Sequence, residues 1–421
     1  MRWNCGWLLG LGLLCALANH AWALTQEVYV WQRQFSPAVY RAVESVRGEV
    51  DGIAILAAEV SWEKNGPRLF RSKVNYAALA AAGSRVGLVL RIGPYAGPFR
   101  SDDEAAHYLD GVVRSLLNAA RTGGLEPAEL QIDFDCASAK LEGYRLWIGS
   151  LRHAAGSVKI IFTALPDWLG REDFSALAHA ADGYILQVHS LDKPAGPDEE
   201  FQLCDPARAW AWIARAERIG VPFRVALPTY GYRLAFDAAG GFIALSAEGP
   251  PVVWPADFRL RTVRTDALPV AGLARKLADA ALVGCTGIIW FRLPVAGDRL
   301  NWDITTLKVV LRGKTPASCL TAEVIWSAEG LAEVRLVNRG EQDESLPSEV
   351  TARWTDESRV VAADGLGGYA PLAERARDGV IVLAAKHALA EERIAPGRVR
   401  KIGWIRFSHE IPLTLQLIAL R

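Results

Sequence analysis

From Glu27 to about Gly313 the chain alternates short apolar runs rich in β-branched residues with longer stretches in which apolar positions recur every three or four residues. The first kind of spacing predicts strands over Val28–Arg33, Gly52–Ala58, Val86–Ile92, Glu129–Asp135, Lys159–Leu165, Gly183–His189, Phe223–Pro228 and Gly287–Leu293. The second predicts helices between them, among others Asp103–Arg121, Leu141–His153, Ala207–Ile219 and Val270–Leu282. Strands and helices in regular alternation imply an α/β protein, a parallel sheet with helices packed outside it. Eight such units in roughly 290 residues fit a closed (β/α)8 TIM barrel better than an open sheet. A doubly wound sheet is the alternative, but no glycine-rich phosphate loop follows the first strand.

The rhythm breaks twice. Between Tyr230 and Val270 the Gly240-Gly241 and Gly249-Pro250-Pro251 turns separate short apolar pieces, which predicts a β-rich insertion at about 234–268 beside the barrel mouth. After about Pro316 helical periodicity fades. Alternating runs at Ala332–Val337, Val350–Trp354, Lys401–Phe407 and Leu413–Ile418 predict a small antiparallel β-sandwich. The expected division is therefore a barrel over 24–316 and a C-terminal sandwich over 317–421, the latter a cap for its neighbour or a carbohydrate-binding module.

The first residues follow neither pattern. Arg2, the apolar run Trp7–Leu17 and the small-x-small triplet Ala21-Trp22-Ala23 read as a secretory signal peptide over 1–23, with Leu24 the first mature residue. No later apolar run reaches the length of a membrane span. The expected location is thus outside the cytoplasm, periplasmic or secreted. Forty-seven basic and 47 acidic side chains cancel, and no basic stripe stands out, which demotes nucleic acid as a partner. Of Cys136, Cys204, Cys285 and Cys319, an exported chain pairs Cys136 with Cys204 as the favoured bridge, with buried free thiols as the alternative. No C-x-x-C or His/Cys cluster suggests zinc, and no cofactor is expected.

Chemistry concentrates in Leu130-Gln131-Ile132-Asp133-Phe134-Asp135. Alternation along a strand puts Gln131, Asp133 and Asp135 on one face and the apolar residues on the other. Barrel enzymes place their chemistry at the C-terminal ends of the strands. That nominates Asp135 at the rim, Asp133 one layer lower, and Glu59 after strand two as catalytic carboxylates. Trp31, Arg91, Tyr95, Gln187, His189, Tyr230, Trp290 and Arg292 are the corresponding substrate contacts. Each has a structural alternative. Asp133 could be held by Arg91 or Arg292, His189 could bond Asp135 or a backbone carbonyl, and Glu59 could be a solvated loop residue. Arg292 could merely neutralise the aspartates. Trp31, Trp62, Trp168, Trp290 and Trp302 all fall near predicted strand ends, where flat rings could stack on sugars or simply fill the core.

In order along the chain, Asp133-Phe134-Asp135, Leu186-Gln187-Val188-His189, Pro228-Thr229-Tyr230-Gly231 and the Trp290 strand resemble chitinase-type glycoside hydrolases. With Val28-Tyr29-Val30-Trp31-Gln32-Arg33, Lys140-Leu141 and Leu165-Pro166, the chain also resembles the bacterial family called domain of unknown function 3142. The hydrolase resemblance implies a (β/α)8 barrel, a glycan substrate and a fourth-strand motif D-x-x-D-x-D-x-E, whose final Glu protonates the glycosidic oxygen. Here Ala137 stands at that position and Leu130 at the first Asp. Either Glu59 or Asp167 supplies the acid, or the barrel binds glycan without cleaving it. Metal-assisted hydrolysis, with Asp133, Asp135 and His189 as ligands, is a third reading.

Overall fold

The computed structural model describes residues 24–247, 252–355, 357–372, 379–386, 389 and 391–418. The expected signal peptide and the Gly249-Pro250-Pro251 turn lie outside them. Eight parallel strands close on themselves: β1 (Thr25–Val30), β2 (Gly52–Glu63), β3 (Val86–Ile92), β4 (Glu129–Phe134), β5 (Lys159–Ala164), β6 (Tyr184–Gln187), β7 (Phe223–Pro228) and β8 (Cys285–Phe291). Each pairs with its sequence neighbours, and β1 joins both β2 and β8, so the sheet is a barrel. The outer half of β2 also carries an antiparallel hairpin strand, Gly66–Arg71.

Amphipathic helices cover the outside. Glu104–Thr122 buries Leu109, Val113, Leu116 and Leu117 on one stripe, and Asp103 caps it by accepting from the Ala106 N–H at 2.8 Å. Leu141–Ala155 buries Tyr144, Trp147, Ile148 and Leu151 the same way. Helices and outward strand residues such as Leu88, Ile132, Leu186 and Ile288 form one continuous core.

Inside the barrel a second, thinner core runs as a layer of Tyr29, Ala54, Val89, Ile161, Ile185, Ala226 and Ile289. Below it the floor is ionic. Buried Arg224 bonds Glu27 and also donates to Glu129 at 2.6 Å, and Arg85 closes the ring by bonding both carboxylates. Glu129 in turn accepts from buried Gln131 at 2.7 Å.

After β7 the chain makes a three-stranded antiparallel sheet from Gly231–Phe236, Phe242–Ser246 and Arg259–Arg264. Gly231 is obligatory at its start, because a Cβ there would lie 2.4 Å from the Val263 carbonyl oxygen. Beyond the barrel, two four-stranded antiparallel sheets enclose a separate core that includes Val334, Leu336, Ile402, Ile405 and Leu383. Glu391 of this unit accepts from the Thr262 amide and hydroxyl.

The favoured Cys136–Cys204 bridge is not formed. All four cysteines are free thiols, three of them buried. Burial pushes the Cys136 thiol up to about 11 and those of Cys204 and Cys285 up to about 12, so they stay protonated and inert. Among the described residues no helix is long and apolar enough to cross a membrane.

Candidate functional site

A cavity of about 1110 Å³ opens at the C-terminal ends of the barrel strands. Strand alternation decides what faces it. Glu59, Arg91 and Asp133 sit side by side across β2, β3 and β4, in direct register. On β2, inward Ala54 and Leu56 would make Ala58 the next inward residue. A bulge between Leu56 and Ala58 shifts the phase, so Ala57 and Ala58 join the outer core and Glu59 turns inward.

Asp133 is largely buried. It accepts from the Thr163 hydroxyl at 2.9 Å, and Arg91 Nε lies 3.7 Å from its Oδ2. Burial, with the nearby charge of Asp135, pushes its carboxyl up to about 6. Asp135 lies beyond the end of β4, exposed to the cavity. The enclosing walls raise its carboxyl too, and Arg91 partly offsets that. Glu59 gives both oxygens to Arg33, at 2.6 and 2.9 Å, so neither is presented as a proton donor. Asp167, the other suggested acid, is exposed in the turn after β5 and does not line the cavity.

The Asp133 environment has a consequence for stability. In the unfolded chain this carboxyl ionises near pH 4; in the folded chain it holds its proton to about 6. Between those values the folded state binds more protons, so stability falls as pH rises through the window. Asp133→Asn removes that cost. Its free energy of unfolding, measured in urea, is expected to exceed wild type by roughly 2–3 kcal/mol at pH 7 and to match it at about pH 4. A variant less stable than wild type at pH 7 means that the Arg91 pairing outweighs the burial.

His189 is 4% exposed and stacks on Phe291, with centroids 5.7 Å apart. Its Nδ1 lies 3.2 Å from the Tyr230 hydroxyl, which continues to Tyr232 and then Ser190. Burial pushes the imidazole down to about 3, so it is neutral. It makes no hydrogen bond to Asp135, and no group of three His, Cys, Asp or Glu side chains among the described residues could hold a metal ion. The ligand set Asp133, Asp135 and His189 is therefore not assembled. Gln187 donates to the His189 carbonyl at 3.1 Å. Arg292 follows the end of β8, its backbone pinned to the Thr229 hydroxyl and its guanidinium 3.3 Å from Asp298.

Two of the expected contacts are elsewhere. Trp290 is fully buried on the outer face of β8, because Ile289 and Phe291 take the inward positions. Its N–H donates to Gln26 at 2.8 Å, and its ring packs on Trp302. Tyr95 lies past the end of β3, where alternation stops, and packs against Trp62, Phe99 and Trp147 over the helix side. The ring of five tryptophans reduces to Trp31, since Trp62, Trp168, Trp290 and Trp302 do not line the cavity. Trp31 itself packs edge-on to Tyr29 and Phe291. Sequence reasoning missed Tyr29, Gln32, Phe291 and Asp298, all of which line the cavity. Period two from the buried Glu27 would have found Tyr29.

Residues 100–296 match the family described as domain of unknown function DUF3142, which bears out that resemblance. Residues 324–408 match a second, domain of unknown function DUF8456. No curated protein matches the chain. Among solved structures, the chain is similar to the spore cortex-lytic enzyme SleL of Bacillus cereus, at 13% identity and TM-score 0.49, covering 69% of this chain and 74% of that one. It is similar to a chitinase from Chromobacterium violaceum at 16% identity and TM-score 0.46, over 69% and 99% of the two chains. The GH18 chitinase ChiB of Flavobacterium johnsoniae shows 13% identity and TM-score 0.46, over 70% and 94%.

Proposed function

We propose that the barrel mouth binds a glycan and hydrolyses it with Asp133 and Asp135 as the reacting carboxylates. The observation that carries this reading is the pair itself. Two aspartates from the end of one barrel strand enter a cavity large enough for sugar rings, and burial holds one of them protonated up to about pH 6. Paired carboxylates with different proton affinities are what glycoside hydrolysis uses, one as acid and one as charge-bearing partner. Asp133 takes the acid role. Asp135, exposed in the cavity, faces the positive charge that develops on the sugar ring. Trp31 offers the stacking surface, with Arg91, Gln187, His189, Tyr230 and Arg292 as the polar surround.

The signal-like character of residues 1–23 supports a location outside the cytoplasm. On this reading residues 24–316 form the working barrel and residues 317–421 brace it. A second reading, glycan binding without turnover, is favoured by Ala137, which is exposed and does not line the cavity.

The test is binding and product release on peptidoglycan fragments, chitin oligomers and exopolysaccharides. Cleavage of at least one is expected, with a rate that falls as pH rises through about 6, because Asp133 then loses its proton. Binding without product anywhere between about pH 4 and 8 selects the second reading. No binding at all rejects both.

A further inference from the structure

The acidic side chains described around the cavity outnumber its guanidinium groups. Among the described residues, its acidic side chains are Glu59, Asp133, Asp135 and Asp298, and its guanidinium groups are Arg33, Arg91 and Arg292. Each guanidinium already has an acid: Arg33 with Glu59 at 2.6 Å, Arg91 with Asp133 at 3.7 Å and Arg292 with Asp298 at 3.3 Å. Asp135 is left over, exposed to the cavity and without a hydrogen bond or ion pair to any described residue. Arg91 tempers its charge but reaches salt-bridge distance only with Asp133.

A second feature is independent of charge. The Tyr29 hydroxyl, both polar atoms of the Gln32 amide and His189 Nε2 are buried and make no hydrogen bond within the described protein, and all three residues line the same cavity. Tyr29 and His189 are 3% and 4% exposed, and both pack on Phe291. Buried polar groups are rarely left unpaired, so three together mark where a ligand's own donors and acceptors fit. All three are neutral, which suits hydroxyl groups.

Resting on the glycan reading above, we infer that the preferred glycan contains a hexosamine unit with a free amine, whose ammonium pairs with Asp135 while its hydroxyls meet His189 Nε2, Tyr29 Oη and the Gln32 amide. A carboxylated sugar would meet the Asp135 charge and find Arg33 and Arg292 already held by Glu59 and Asp298. An N-acetylated unit would leave Asp135 with only the partial offset of Arg91.

Calorimetric binding of a glucosamine hexamer and its fully N-acetylated counterpart, at about pH 6 where the amine is charged, tests this. The free-amine oligomer is expected to bind roughly tenfold tighter or more, an advantage that shrinks with added salt. Asp135→Asn should erase the preference, so that the two oligomers bind alike. Tyr29→Phe should weaken both oligomers alike, with thermal melting confirming that each variant is folded. Equal or tighter binding of the N-acetylated oligomer overturns the inference, as does a preference that survives Asp135→Asn. Binding of only a non-hexosamine glycan from the wider panel also overturns it but leaves the glycan reading standing. Failure of every glycan to bind removes both.

Discussion

Asp135→Asn is expected to lower glycan cleavage by roughly a hundred- to a thousandfold, the usual cost of removing one charge-stabilising group from a reaction centre. Asparagine keeps the shape and removes the charge. Because Asp135 is exposed to the cavity and makes no internal hydrogen bond, the fold should barely notice; a stability change within about 0.5 kcal/mol is typical of such positions. The loss can then be read as chemistry. Removing this charge also lets the Asp133 carboxyl fall back toward the ordinary range, since Asp135 is one of the two groups holding it up. The pH above which residual cleavage declines should therefore move down. Steady-state rates with a cleaved oligomer, measured across pH, decide the matter. A rate within a few-fold of wild type would place Asp135 outside the reaction.

The largest effect on stability is expected at the other end of the barrel. Arg224→Met takes the central cation from the floor and leaves Glu27 and Glu129 facing each other with only Arg85, itself about half-exposed, between them. Breaking a buried ion pair on one side costs about 3–5 kcal/mol, because the stranded charge stays buried. That corresponds to a melting point lower by on the order of 10 °C. Two controls bear on the cause. Adding Glu129→Gln should recover much of the loss, and so should lowering the pH toward about 4, where the stranded carboxylates protonate. A melting point unchanged within about 2 °C would show that the floor is held by packing alone.

The sequence carried the barrel because its signal is local and repeated. Eight β-rich runs separated by amphipathic stretches leave few ways to bury every apolar face. Some strand edges slipped, by three residues at β1, read over Val28–Arg33 and observed over Thr25–Val30. The aspartate pair was equally legible, since two carboxylates at period two on the polar face of a strand flanked by helices stand out in the sequence itself. Phase was harder to read. Trp290 looked like a partner of Arg292 by alternation, but β8 ends at Phe291 and Arg292 belongs to the loop, so the parity of one says nothing of the other. Tyr95 failed for the same reason one residue past Pro94. Glu59 faces the cavity only through a bulge that period two could not announce.

What the sequence by itself determined is the alternating plan and the strand whose polar face holds Asp133 and Asp135. Both follow from periodicity within a few consecutive residues. What only the tertiary structure decided is the pairing of charges. Arg33 meets Glu59 across 26 positions, and Arg224 meets Glu27 across 197. Barrel closure, not local sequence, brings these groups together. Coulomb attraction between groups so far apart in the chain depends on distance in space and on the dielectric around them. For that reason Asp135, alone among the cavity's described carboxylates in having no such partner, could be recognised only after the barrel had closed.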